Sequence, residues 1–350
     1  RMTLQSVKSF VQLSFIRPEG FFVNDQFVHT LGLLKTDVNS FINSIYTNFT
    51  EMPKIFAKIQ TDSLMEQVPF LPSNMKPCDF LACSTLPSLF CHCWSIELRH
   101  AYIDFLLEIS KQLPPSFFPK FREHWLFECF KNYIHGSNIH QFLTLSIGEM
   151  ILRLVRQDSN RGTQQIVIYA MEMIKRMKDN ISTFPKDVRL LLKKFSDLAP
   201  NKEEKIYRIE ILFIDCILVP AISLPKAYCV LPPSYQIDMS PNGPMKTLNQ
   251  LALLLRMILH VDKIPSRFPM PQNEIDLVKA IPLADFLNEL VNVDENKIDN
   301  DGPRIAQLIS LLQTEHMNLM FTMSDVCLLA KYLVFDKPSP SQNKIMLSDF

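Results

Sequence analysis

Glycine is scarce in this chain, with seven in 350 residues. None falls in a G-x-G-x-x-G or G-x-x-x-x-G-K-[ST] arrangement, so no glycine-rich turn is present to cradle a phosphate, and the nucleotide-binding enzymes built on such turns are excluded. Net charge is also missing: 36 basic residues balance 36 acidic ones, and the pI is about 7.2. Proteins that grip nucleic acid are normally basic, so no nucleic-acid partner is expected. The chain opens without a signal-peptide pattern, and Arg1-Met2 reads as a fragment boundary. Long clean apolar runs are absent as well. The longest apolar stretch, Ile209 to Leu224, carries Glu210, Asp215 and Pro220 and falls short of the ~18 residues a membrane span needs. Internal repeats, low-complexity blocks and period-two alternation do not stand out.

The eight cysteines (78, 83, 91, 93, 129, 216, 229, 327) sit mostly inside apolar segments and not at framework spacings. They read as buried thiols of a reducing compartment. Cys78, Cys83 and Cys91-His92-Cys93 form a cluster without the C-x2-C spacing of zinc sites, so no structural metal is expected.

What the chain has in quantity is apolar mass: 47% hydrophobic residues, with 26 Phe and 16 Met, enough for a large core. Helical spacing of the apolar positions recurs throughout, as in Leu98, Ala101, Tyr102, Phe105, Leu106 and Ile109. The expected fold class is therefore all-α. Two punctuated stretches suggest boundaries, Pro69–Pro77 and the acidic, polar 292–303. These divide the chain into a helical N-terminal extension (1–72), a central helical domain (73–292) and a helical C-terminal extension with a mobile tail (304–350). Within them, 200–205 reads as an exposed loop before an apolar helix from Ile206 to Val219.

The stretch Lys120 to Val155 carries the functional reading. Pro114, Pro115 and Pro119 precede a basic pair around an aromatic, Lys120-Phe121-Arg122, and two helical runs follow. The prolines place Arg122 on an ordered loop or at the first turn of a helix. From there its fixed fork of donors can address a phosphate or carboxylate.

Three motifs in order then resemble the Ras GTPase-activating domain family, over about residues 80 to 290. Phe121-Arg122 with Leu126 and FLTLSIGEMILRLV resembles its arginine-bearing loop and the helices after it. Phe184-Pro185-x-x-Val188-Arg189 resembles its Leu/Phe-Pro-x-x-Leu-Arg. IEILFIDCILVPAISLP (209–225) resembles its Phe-Leu-Arg-x-x-x-Pro-Ala-Ile-x-x-Pro helix. The endocytic GAP- and VPS9-domain subgroup is nearest, sharing FLT and a Cys at the signature arginine.

The resemblance implies a multi-helix domain that binds a small GTPase of Ras or Rab type and supplies Arg122 in trans to the phosphoryl group being transferred. GTP and Mg²⁺ would belong to the partner, so no cofactor is expected on this chain. Lys120, Phe121, Arg189, Asp215, Cys216 and Pro220 would bind the GTPase or support the loop. A cytoplasmic, endocytic setting follows, peripheral on endosomal or plasma membranes through other regions. The chain departs from the family at three positions. Ile214-Asp215-Cys216 stands where an arginine steadies the loop, Leu224 replaces an Asn, and Leu253 replaces a basic residue. Cysteine offers no charged fork, so a catalytically weak or inactive GTPase-binding module, or a scaffold, is the alternative. Asp215 is expected on a helix face or paired with a neighbour such as Arg208 or Lys205.

Overall fold

The computed structural model of the chain describes residues 10–17, 20–22, 51–59, 76–90, 96–156, 163–232, 234–235, 237, 243–263, 272–293, 318–322, 325 and 329. The fold is all-α in class, with helices forming both cores. Two compact units emerge, one from residues 1–132 with 299–350 and the other from 133–298. The residues of the expected central domain are thus shared between the units, and the polar 292–303 stretch contains the return from the second to the first.

The first unit holds α1 (Met52–Phe56), α2, α3 (Ile96–Gln112), a 3-10 segment (Pro115–Glu123) and most of α4 (Trp125–His135). Two α-helical pieces, Pro77–Phe80 and Leu86–Leu89, make up α2 and flank a π-helical stretch, Leu81–Thr85. Aromatic rings fill this unit's core. Phe105 lies 5.9 Å from Phe56 and 5.3 Å from Phe90 between centroids, and Trp125 lies 6.2 Å from Phe56. Edge-to-face and tilted pairs at these distances add to the burial energy of each ring. The C-terminal region joins this unit. Asp325 is fully buried and accepts a hydrogen bond from Thr85 Oγ1 at 2.7 Å, on the π-helical stretch of α2.

One expectation is overturned here. Both extensions are expected to be helical, and Met52–Phe56 in the first is, yet Phe10–Arg17 (β1) and Gly20–Phe22 (β2) are strands, joined by Asn318–Thr322 (β3) of the C-terminal extension in an antiparallel sheet of order β2-β1-β3. Phe10 pairs with Thr322 and Ser14 with both Asn318 and Phe22. The signal is Val11, Leu13 and Phe15 alternating with Gln12 and Ser14, a short period-two pattern. Apart from residues 51–59, 325 and 329, the rest of the two expected extensions, including the tail expected to be mobile, lies outside the described residues.

The second unit begins with the last turn of α4. It continues with α5 (Ile139–Leu143, a π-helical Thr144–Gly148 and Glu149–Arg156), α6 (Thr163–Asp179), α7 (Lys186–Asp197) and α8 (Lys202–Glu210, a π-helical Ile211–Leu218 and Val219–Ser223). After these come α9 (Pro244–Met257), α10 (Gln272–Lys279) and α11 (Leu283–Val291). A chain of rings, Phe142, Phe184, Phe213 and Phe286, runs through the core at centroid distances of 4.8, 6.2 and 5.3 Å. Residues 202–205 are helix, not the expected loop. Asn201 caps α8, its side chain accepting the Glu204 N–H at 2.8 Å, and Glu203 and Glu204 favour the positive end of the helix dipole.

Candidate functional site

In the first unit the site-bearing stretch is the 3-10 segment Pro115–Glu123. Pro114 stands just before it with an extended backbone, while Pro115 and Pro119 lie within it, fix φ near the 3-10 value and lack a backbone donor. A period of three residues per turn stacks Phe118, Phe121 and His124 on one face, and all three are buried. Pro119, Lys120, Arg122 and Glu123 project from the other faces and are exposed.

Phe121, fully buried, contacts Phe117, Phe118, Phe127 and Phe130 at centroid distances of 6.3, 5.8, 6.0 and 6.0 Å. It anchors the segment to the first turns of α4. The geometry is that of an exposed guanidinium on a short backbone whose opposite face is locked into an aromatic core.

Between Arg122 and α4 stands His124, which the sequence reading passed over. Its backbone is extended, its N–H donates to Phe121 O at 3.1 Å, and its carbonyl accepts the Phe127 N–H at 3.0 Å. Its Nδ1 accepts the Leu126 N–H at 3.2 Å, so the imidazole is the side-chain N-cap of α4. A capping Nδ1 must be unprotonated. Burial pushes the His124 pKa down to about 4, against an opposing contribution from the Ile59 carbonyl. That carbonyl also accepts the Trp125 Nε1–H, at 3.1 Å.

The remaining candidate residues lie in the second unit. Pro220 falls inside α8 and lacks the N–H that would have bonded to the carbonyl four residues earlier, which is that of Cys216. Backbone widening precedes it: the Val219 N–H bonds to Ile214 O, five residues back, which eases the ring past that carbonyl. Pro87 sits in the same relation to the first π-helical stretch, where the Leu86 N–H bonds to Leu81 O. The Cys216 carbonyl receives its hydrogen bond from elsewhere, with His135 Nε2 3.0 Å away. A carbonyl can only accept, so its bond to the ring requires the hydrogen on Nε2, and the Tyr228 hydroxyl lies 2.9 Å from the same nitrogen. The Cys216 side chain is fully buried.

Asp215 corrects another expectation. Its partner is Arg256 on α9, with Nε–H donating to Oδ1 at 2.8 Å. Arg208 instead binds Glu204, with the shortest contact at 2.6 Å, and Lys205 binds Asp197. One helical turn beyond Arg256, His260 Nε2 lies 3.0 Å from the buried carboxylate of Glu210. The two contacts form a polar ladder between α8 and the α9 region.

Arg189 donates to the carbonyls at the end of α11, Leu290 at 2.8 Å, Glu289 at 3.0 Å and Asn292 at 3.3 Å. It is a helix C-cap; burial lowers its pKa, with Glu289 acting in the opposite sense. Lys120, Phe121 and Arg122 therefore cluster in one unit, while Arg189, Asp215, Cys216 and Pro220 belong to the other.

Not every cysteine is buried as expected: Cys83 and Cys229 are exposed, and Cys91 and Cys93 lie outside the described residues. Among the described residues, no helix is long and apolar enough to cross a membrane. The chain matches no protein-family model and no curated protein.

Proposed function

We propose that this chain binds a small Ras-superfamily GTPase and presents Arg122 in trans to the bound nucleotide, speeding GTP hydrolysis in endocytic membrane trafficking. The observation that carries the reading is the 3-10 segment, in which an exposed arginine stands on a backbone whose buried face is fixed by Phe118, Phe121 and His124. A backbone fixed this way limits the reordering needed to bring the arginine to phosphate oxygens, which favours electrostatic stabilisation of a transferring phosphoryl group. The order of the three sequence motifs supports the same reading. GTP and Mg²⁺ are the partner's.

A second reading, binding without acceleration, is favoured by position 216. Its side chain is a buried thiol and the carboxylate beside it is paired with Arg256, so α8 offers no guanidinium from this position.

The test has two stages. Pull-down against Ras- and Rab-type GTPases locked in GDP and GTP-analogue states is expected to show capture of a GTP-state partner; a scaffold would ignore nucleotide state. Single-turnover hydrolysis on the captured GTPase then separates activator from passive binder.

A further inference from the structure

We infer that His124 is the positioning residue of the arginine-bearing turn: its imidazole, acting as the N-cap acceptor of α4, sets the register of Lys120–Glu123 against the helix. The geometry ties both sides of the residue. Its N–H closes the last turn of the 3-10 segment on Phe121 O, while Nδ1 and the carbonyl hold the second and third helical amides, Leu126 and Phe127. The ring is wedged between Phe117, 4.6 Å away and edge-on, and Trp125, 5.1 Å away. Arg122 lies two residues upstream, so loss of the cap acts first on the turn that carries it. What the turn is for rests on the proposed function; how it is held does not.

The acceptor role exists only for a neutral ring, so the device is sensitive to acid. The charged and titratable side chains on the surrounding elements include Lys54 on α1 and Lys58 beside Ile59, Arg99, His100, Asp104, Glu108 and Lys111 on α3, Lys120, Arg122 and Glu123 on the segment itself, and Glu128, Lys131 and His135 on α4. Lys111 pairs with Glu108 and Lys131 with Glu128. The causes acting on the ring are burial and the Ile59 carbonyl, not one of these charges.

Hydrogen exchange on the whole chain tests the inference without any GTPase, so its outcome is independent of the activity reading. Three proteins are compared at neutral pH: wild type, His124→Asn, which keeps a cap acceptor without titrating, and His124→Phe, which fills the cage without an acceptor. After correction for intrinsic rates, His124→Phe is expected to exchange the Leu126 and Lys120–Glu123 amides roughly 5- to 30-fold faster, the size of a lost cap, with α3 amides unchanged. His124→Asn is expected to stay within about twofold of wild type. Lowering the pH towards 4 should release the same amides in wild type and not in His124→Asn. The inference is overturned if His124→Phe is as protected as wild type, if His124→Asn exchanges as fast as His124→Phe, or if the wild-type amides ignore pH.

Discussion

The 3-10 segment of the first unit and the proline-interrupted α8 of the second face one problem, backbone that cannot complete α-helical hydrogen bonding, and meet it with opposite chemistry. In the segment, Pro115 and Pro119 lack amide donors and the backbone is held by apolar burial, with Phe118 and Phe121 pressed into the core and Lys120, Arg122 and Glu123 exposed. In α8 a single proline leaves a carbonyl over, and polar groups from elsewhere in the unit complete it: His135 at the Cys216 carbonyl, with Arg256 one residue away on Asp215. Aromatic burial fixes a backbone while leaving its polar face available. Polar completion draws charge and donors inward and leaves fewer to present. That contrast is why the exposed arginine, not the buried helix, is the functional candidate.

The sharpest way to break the contrast is to force charge into α8. All eight residues of its π-helical stretch are buried, so Cys216→Arg would place a guanidinium where Asp215 is already paired. The expected cost is about 4–5 kcal/mol or more, from overpacking and an uncompensated charge, read as loss of the second unit's unfolding transition in urea. A stable variant with faster hydrolysis would mean the helix can open an arginine site.

Phe121→Ala attacks the other side. Removing a fully buried ring should cost the first unit about 3–5 kcal/mol, with little change with salt. An effect under about 1 kcal/mol would show that the turn is held by something other than aromatic packing.

Acid comes next. The folded-state pKa of His124 lies below its unfolded value, so the unfolded chain takes up the proton first. Stability is intact above pH 6.5 and is lost as pH falls towards about 4. The full loss is on the order of 3 kcal/mol at 1.36 kcal/mol per unit. Urea midpoints from pH 7 to 4 should fall more steeply for wild type than for His124→Asn; parallel curves would remove the histidine from the account.

The smallest stability effect is expected at the polar ladder. Arg256→Met leaves Asp215 without its guanidinium. Because the Arg256 side chain is 48% exposed, the cost should be about 1–2 kcal/mol, below that of a fully buried pair. Thermal melts check this, and an unchanged melting temperature would mark the pair as incidental.

The helices were legible in the sequence because their apolar spacing is long and regular. Phe127, Phe130, Tyr133 and Ile134 are buried on α4 as the pattern implies. The strand β1 was not, since five alternating residues carry little weight among long helical runs. The start of α8 was hidden by its charge, although Asn201 and Glu204 were the cap signal. The candidate site was legible in part. Prolines announced a non-α stretch before Arg122, but nothing local says that His124 caps α4, because the cap depends on a ring turned back into an aromatic cage. The partners of Asp215 and Cys216 were out of reach for another reason. Arg256 is 41 residues away and His135 is 81, and such pairings exist only once the chain is folded.

The most direct measurement is phosphate release under single-turnover conditions, with saturating wild type or Arg122→Ala acting on a GTPase that the locked-nucleotide screen captures. The account predicts acceleration by wild type and a loss on the order of 10²- to 10³-fold in Arg122→Ala. Circular dichroism and GTPase affinity should stay unchanged, because the arginine acts mainly in the transition state. Equal rates for the two proteins on a GTPase that binds both would contradict it and leave a binding module in its place.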